Sequence, residues 1–202
     1  IFNLYNGMLG NRLDELTKDA DPPFLFARSR KGSWVQSKEM YTLSAYVKTN
    51  GIPRGMESLL SESIRVQKHG FTQSELERQK TTYMRNLEKQ YNERDKTESE
   101  TFKWQYKEHF LVGESIPSIK YVFNRVKKIL PGIGLDDVNK LSSDLMTDKN
   151  RVITVSSPIN EGVIIPNETD LKNVFNSVLS SDIEPYVDAV SDDPLVSSLL
   201  PP

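Results

Sequence analysis

Apolar residues recur along this chain at helical spacing, interrupted by short runs in which apolar and polar residues alternate. Phe2, Tyr5, Leu9, Leu13 and Leu16 fall at i, i+3, i+7, i+11 and i+14, one face of a helix that the DADPP stretch at 19–23 stops. Gly7 and Gly10 each weaken that helix by about 1 kcal/mol relative to alanine, so close packing against a neighbour is expected there. Phe24 to Arg30 reads as a strand, with Lys31-Gly-Ser33 a turn or bulge within a longer ribbon. Tyr41 to Lys48 reads as a second strand with Tyr41, Leu43, Ala45 and Val47 on one face. The short polar separation predicts an antiparallel pair.

Asn50-Gly-Ile-Pro53 is a turn into a helix whose stripe is Met56, Leu59, Leu60 and Ile64 and whose end is Lys68-His-Gly70. Thr72-Gln-Ser-Glu75 then spells a capping box, in which hydroxyl and carboxylate each accept from the other residue's amide. Leu76, Tyr83, Leu87 and Tyr91 follow at helical spacing among Glu, Arg and Lys, predicting a long polar helix with one apolar stripe. The spacing lapses over 95–101 and resumes with Phe102, Tyr106 and Phe110. Ser115-Ile-Pro117 starts another helix, carrying Ile119, Val122, Phe123, Val126 and Leu130 and ended by Pro131 to Gly134. Leu135, Val138, Leu141 and Leu145 form a shorter one, with Asp136 and Asp137 at the end where the dipole favours acids. Arg151 to Ser156 has the strongest strand pattern in the chain. Beyond Pro158 come a loop, a helix from about Thr169 to Leu179, and a Ser-, Asp- and Pro-rich stretch from Ser180 to Pro202 that reads as a linker.

This order predicts an α+β fold, an antiparallel sheet with helices packed on one face. Three strands under so many helices leave the sheet short, so a further strand before Ile1 is expected. The chain opens inside an amphipathic pattern, with no initiator Met, signal peptide or polar leader, as a piece of a longer protein would. The expected division is an α+β domain over 1–158 and a helix with linker over 159–202.

Composition narrows the function classes. The 202 residues are 37% hydrophobic and 27% charged, as in a soluble globular protein, and the net charge is -2. Acids and bases are interspersed, so there is no electrostatic case for nucleic acid or an anionic membrane. No apolar run approaches the roughly 20 residues that span a bilayer. Without cysteine there is neither disulfide nor thiolate chemistry, and the compartment stays open.

Candidate chemistry is sparse. Zinc hydrolysis needs ligands projected from one element, yet His69 and His109 lie forty positions apart and in neither an HxxEH nor an HExxH frame. Glu57 with Glu62, and Glu75 with Glu77, are carboxylate pairs, but charged residues on helix faces are ordinarily solvated. No GxSxG elbow frames a serine, and Gly132-Ile-Gly134 fits helix termination better than a phosphate cradle. Phe102, Trp104 and Tyr106 interleave with Lys103 and Lys107 as in single-strand nucleic-acid binders, but near-neutral charge favours two core aromatics with Trp104 at a rim. Trp34 near Arg28, Arg30 and Lys31 could mark a strand edge that adds an extended peptide. Asn167-Glu-Thr169 fits a glycosylation sequon and a helix cap equally well.

Leu9-Gly-Asn-Arg-Leu-Asp-Glu-Leu16, Pro23-Phe24 with Ala27, Glu62-Ser-Ile-Arg-Val66 and Gly70-Phe-Thr-Gln-Ser-Glu-Leu-Glu-Arg-Gln-Lys80 stand in an order that resembles the pitrilysin/insulinase-type zinc peptidases, the group that includes mitochondrial processing peptidase. The resemblance runs from about Leu4 to Pro158 and fits the non-catalytic second domain. Glu184-Pro-Tyr-Val-Asp188 and Pro194-Leu-Val196 resemble the connector to the second half. It implies repeated α+β domains paired into halves around a chamber for peptide or unfolded protein. Zinc is then expected in the parent's first domain, on an inverted HxxEH motif absent here. The fourth domain carries an Arg, and a Tyr seven residues later, that hold substrate. Leu43 to Pro53 has no Arg at its start and no Tyr at its turn, which argues against that domain.

The resemblance therefore implies no catalytic, cofactor-binding or metal residue in this chain. Its expected partners are the other domains of the same parent and the peptide substrate, with no nucleic acid and no membrane. The expected parent is a bacterial zinc peptidase, soluble, with the periplasm the compartment considered. The alternatives are a structural subunit of an assembly that has lost zinc, and a peptide-binding adaptor module.

Overall fold

The computed structural model describes residues 1–35, 38–147 and 149–188. In chain order these form α1 (Phe2–Leu16), β1 (Phe26–Val35), β2 (Lys38–Tyr46), α2 (Ile52–His69), α3 (Gln73–Asn92), α4 (Ser99–Val112), α5 (Ile119–Ile129), α6 (Leu135–Leu145) and α7 (Glu168–Ser180). Short 3-10 turns at Arg94–Lys96 and Leu130–Gly132 mark the expected breaks around α4 and after α5.

The strands pair antiparallel, Phe26 opposite Tyr46 and Lys31 opposite Tyr41, and the register slips between Ser33 and Val35. That slip is the bulge expected near Lys31-Gly-Ser33. Period two turns Tyr41, Leu43 and Ala45, with Val47 just beyond, toward the helices, where Phe24 and Ala27 are buried. The opposite face carries Phe26 and Tyr46, both exposed, their rings 6.2 Å apart. Helices thus cover one face of the ribbon, the predicted α+β arrangement.

Against that covered face α1 buries Leu4, Tyr5, Met8, Leu9 and Leu13, none more than 2% exposed. Each such side chain contributes about 1.5–3 kcal/mol by leaving water. The close packing expected of its glycines holds at Gly7, where a Cβ would strike the side chain of Gln79 on α3. It does not hold at Gly10, which has open space around it.

The capping box is present. Glu75 N–H donates to Thr72 Oγ1 at 3.3 Å and Thr72 N–H to Glu75 Oε2 at 2.7 Å. The same carboxylate takes Arg12 of α1 as a fork, Nε to Oε1 at 2.7 Å and Nη2 to Oε2 at 2.8 Å, with both side chains buried. Arg12 Nη2 also donates to the Gly70 carbonyl, which is the end of α2, at 3.2 Å. Gly70 itself has φ of +73°, and a Cβ there would lie 2.6 Å from Asn139 of α6. Asn139 Oδ1 accepts from Phe71 N–H at 2.9 Å. Three helices and the docking of a fourth converge on this junction.

Two segments depart from expectation. Arg151 to Ser156 forms no strand, and Val152 is 83% exposed. A strand pattern is realised only beside another strand, and β1 and β2 bond only to each other among the described residues. Farther on, Asn50 (φ +62°) donates to the Gly162 carbonyl at 3.1 Å and accepts from Ile164 N–H at 2.8 Å, fixing the loop. The second departure is 181–188, which packs on the domain instead of leaving it. Val178 of α7 and Ile183 are buried with Ile64 of α2 in a second apolar cluster.

Removing one partner of the buried pair leaves the other charge without compensation. Glu75→Ala is expected to lower the unfolding free energy in urea by about 3–5 kcal/mol, and Arg12→Met/Glu75→Leu by much less. A double variant as unstable as the single one would contradict this account. A separate expectation concerns pH, because burial pushes the phenols of Tyr5 and Tyr41 above their ordinary range. The unfolded chain then ionises first, so stability is full below about pH 10 and falls as pH rises beyond it. Urea titrations of Tyr5→Phe/Tyr41→Phe at pH 8 and pH 11 should show a smaller loss than the parent sequence.

Candidate functional site

The charged residues that could do chemistry are committed to structure. His69, in the last turn of α2, places Nε2 2.7 Å from the Ile183 carbonyl, and His109 on α4 places Nδ1 2.7 Å from the Glu114 carbonyl. Among the described residues no three His, Cys, Asp or Glu side chains come together as a metal-binding group. Glu62 is buried and paired with Arg65 one turn on, whereas Glu57 is exposed. Glu75 is held by Arg12, while Glu77 faces outward to Gln73 and Lys80. Neither carboxylate pair converges. Gly134 N–H donates to Asp137 Oδ2 at 2.9 Å, so the α6 start is occupied by its own side chain. Asn167 caps α7 by accepting from Asp170 N–H at 3.0 Å. The Trp34 side chain lies outside the described residues.

A surface rather than a reactive centre remains as the candidate site. No residue of α4 is buried. Phe102 is 41% exposed, Tyr106 60% and Phe110 86%, which corrects the expectation that Phe102 and Tyr106 are core residues. Helical spacing gives a face, but not something to bury it, and among the described residues this one stays exposed. Trp104 stands outside as expected, with Lys107 Nζ 4.3 Å and Lys103 Nζ 5.8 Å from its ring. On the inner side, Tyr91 of α3 stacks on Phe123 of α5 with centroids 4.8 Å apart. Beside that stack, α3, the middle of α4, the connection that follows it and the start of α5 enclose a groove of about 310 Å³. Tyr83, Leu87, Ile116, Pro117, Ile119 and Val122 form its apolar lining, and Gln90, Gln105 and Ser115 its polar one. Such a groove suits an apolar side chain flanked by a backbone that needs amide partners.

No protein-family model matches the chain. Over 123 residues it is 31% identical to a protein of Arabidopsis thaliana named zinc protease PQQL-like, an alignment spanning 61% of this chain and 12% of that one. Its fold matches the first half of the periplasmic protease PqqL from Escherichia coli with a TM-score of 0.74 and 12% identity, covering 93% of this chain and 40% of that one. It also matches a predicted insulinase family protease from Yersinia pestis, with a TM-score of 0.68 and 15% identity over 88% of this chain and 38% of that one. The chain is therefore similar in sequence to a zinc protease and has the fold of the PqqL and insulinase-family proteases, the likeness that the resemblance implied. Its relatives at this level are the plant PQQL-like protein in sequence and the PqqL protease in fold, and it spans about an eighth of the former's length. No helix among the described residues is long and apolar enough to cross a membrane.

If α4 is uncovered, Phe110→Ser should change the unfolding free energy by no more than about 0.5 kcal/mol, whereas Leu87→Ala should cost about 2–5. Thermal and urea unfolding of both variants would decide, and a core-sized loss at Phe110 would refute the exposed reading.

Proposed function

We propose that the chain is a non-catalytic structural domain of an insulinase-type zinc metallopeptidase. It packs on the zinc-bearing domain of the same parent and forms part of the wall of a chamber for peptides or unfolded protein. The observation that carries this reading is the unburied aromatic face of α4 on a domain otherwise closed around its own ion pair. Single exposed apolar residues are ordinary, but several on one helix mark a surface meant to be covered. The similarity to a zinc protease supports this class for the parent. The sheet of only two strands among the described residues, under helices on one face, supports its completion by a further strand from the parent. On this reading 1–158 is the domain body, 159–202 leads toward the second half, and zinc resides in the first domain, outside this chain.

The assay is direct. The purified chain, incubated with a quenched fluorogenic peptide with and without added zinc, is expected to hydrolyse none above blank. Robust hydrolysis abolished by a chelator would overturn the proposal. In the parent protease, Phe110→Asp is expected to reduce kcat/KM at unchanged zinc content, and full activity in that variant would count against an α4 interface.

A further inference from the structure

The segment after α7 is held by side chains reaching from three helices. Arg65, Lys68 and His69 lie at i, i+3 and i+4 on α2, a spacing that puts them on one face. They address three carbonyls of the segment. Arg65 Nε donates to Glu184 at 2.9 Å, Lys68 Nζ to Ser181 at 3.0 Å, and His69 Nε2 lies 2.7 Å from that of Ile183. Ile183 is buried beneath these contacts. The next residues cross to the α1–α3 junction. There the Tyr186 ring lies 4.0 Å from the Arg12 guanidinium, on which Phe71 also stacks at 5.0 Å. Tyr186 Oη donates to Glu15 Oε2 at 2.8 Å. Asp188 takes Arg78 as a fork, at 2.8 and 3.2 Å, together with the Ser74 hydroxyl.

These contacts have a common centre. Arg12 is 2% exposed, and an aromatic ring from outside the helices forms part of its cover. A cation bound to a ring gains more when water is excluded, and an ion pair opened to water loses strength. Lifting Tyr186 would therefore weaken the pair that joins α1 to α3, and breaking that pair would free Tyr186.

We propose that residues 181–188 are a clasp over the Arg12–Glu75 pair, released only when the domain itself opens, so that the path of the chain through Asp188 is coupled to the integrity of the fold. This goes beyond the chamber reading and does not rest on it.

The chain has no cysteine, so Val187→Cys, at a position 82% exposed, accepts a single fluorophore. In the 202-residue chain the anisotropy of that label is expected to equal that of a label at Glu88→Cys on α3. It should fall at the same urea concentration as the far-ultraviolet circular dichroism. A label already mobile in the native chain, or one freed at lower urea than the helices melt, would overturn the proposal. In the Arg78→Ala/Tyr186→Ala background the label should be freed well before the helices melt; coincident midpoints there would show that these anchors do not hold the clasp, and would overturn it too. If the double variant does not fold, Asp188→Asn takes its place with the same two outcomes.

Discussion

The carboxylate of Glu75 holds this domain together by serving two demands at once. It closes the capping box that starts α3, and it receives the guanidinium of Arg12 from α1. Arg12 in turn reaches the carbonyl of Gly70, the residue that caps α2. Burying a charged pair is not in itself stabilising, since desolvation offsets much of the attraction. Its value here is register. Only one rotation of α1 and one start of α3 satisfy both groups, and the sheet packs behind whichever face of α1 that rotation leaves free.

From that point the molecule divides into a sealed side and an open one. The sealed side comprises α1, α2, α6, the first turns of α3 and the inner face of the ribbon. The open side comprises α4, the groove against α3 and α5, and the outer face with Phe26 and Tyr46. Of the charged groups weighed as catalysts, His69, Glu62, Glu75 and Glu77 are engaged on the sealed side, His109 meets the Glu114 carbonyl on α4, and Glu57 is exposed on a helix surface. What the open side offers is apolar area and a few amide groups, the materials of contact rather than of reaction.

Features decided within a few residues were legible in the sequence. The Thr72–Glu75 box, the antiparallel ribbon and the α1 stripe were all readable because capping, alternation and helical period are local. The likeness to insulinase-family proteases was legible through the order of several such features. What escaped depended on distant partners. Arg12 reads as one polar position in an apolar stripe until Glu75 is placed 2.7 Å away, 63 residues later. Phe102 and Tyr106 have core spacing without a core beside them. Arg151 to Ser156 has strand propensity without a strand to join, and propensity yields to context. The groove residues come from three elements, so no single stretch of sequence signals them.

Gly70 sets a limit of a different kind, on how the length of the chain can vary. Its left-handed backbone ends α2, its carbonyl holds Arg12, and Asn139 occupies the space a side chain would need. Only Gly70, Phe71 and Thr72 separate α2 from α3, and each is engaged. Adding or removing one residue would displace all of these bonds together. The connections at 93–98 and 113–118 are exposed throughout and hold no buried ion pair, although 113–118 contributes Ile116 and Pro117 to the groove. Among chains of this kind, insertions and deletions should collect in those two connections and be absent between His69 and Gln73.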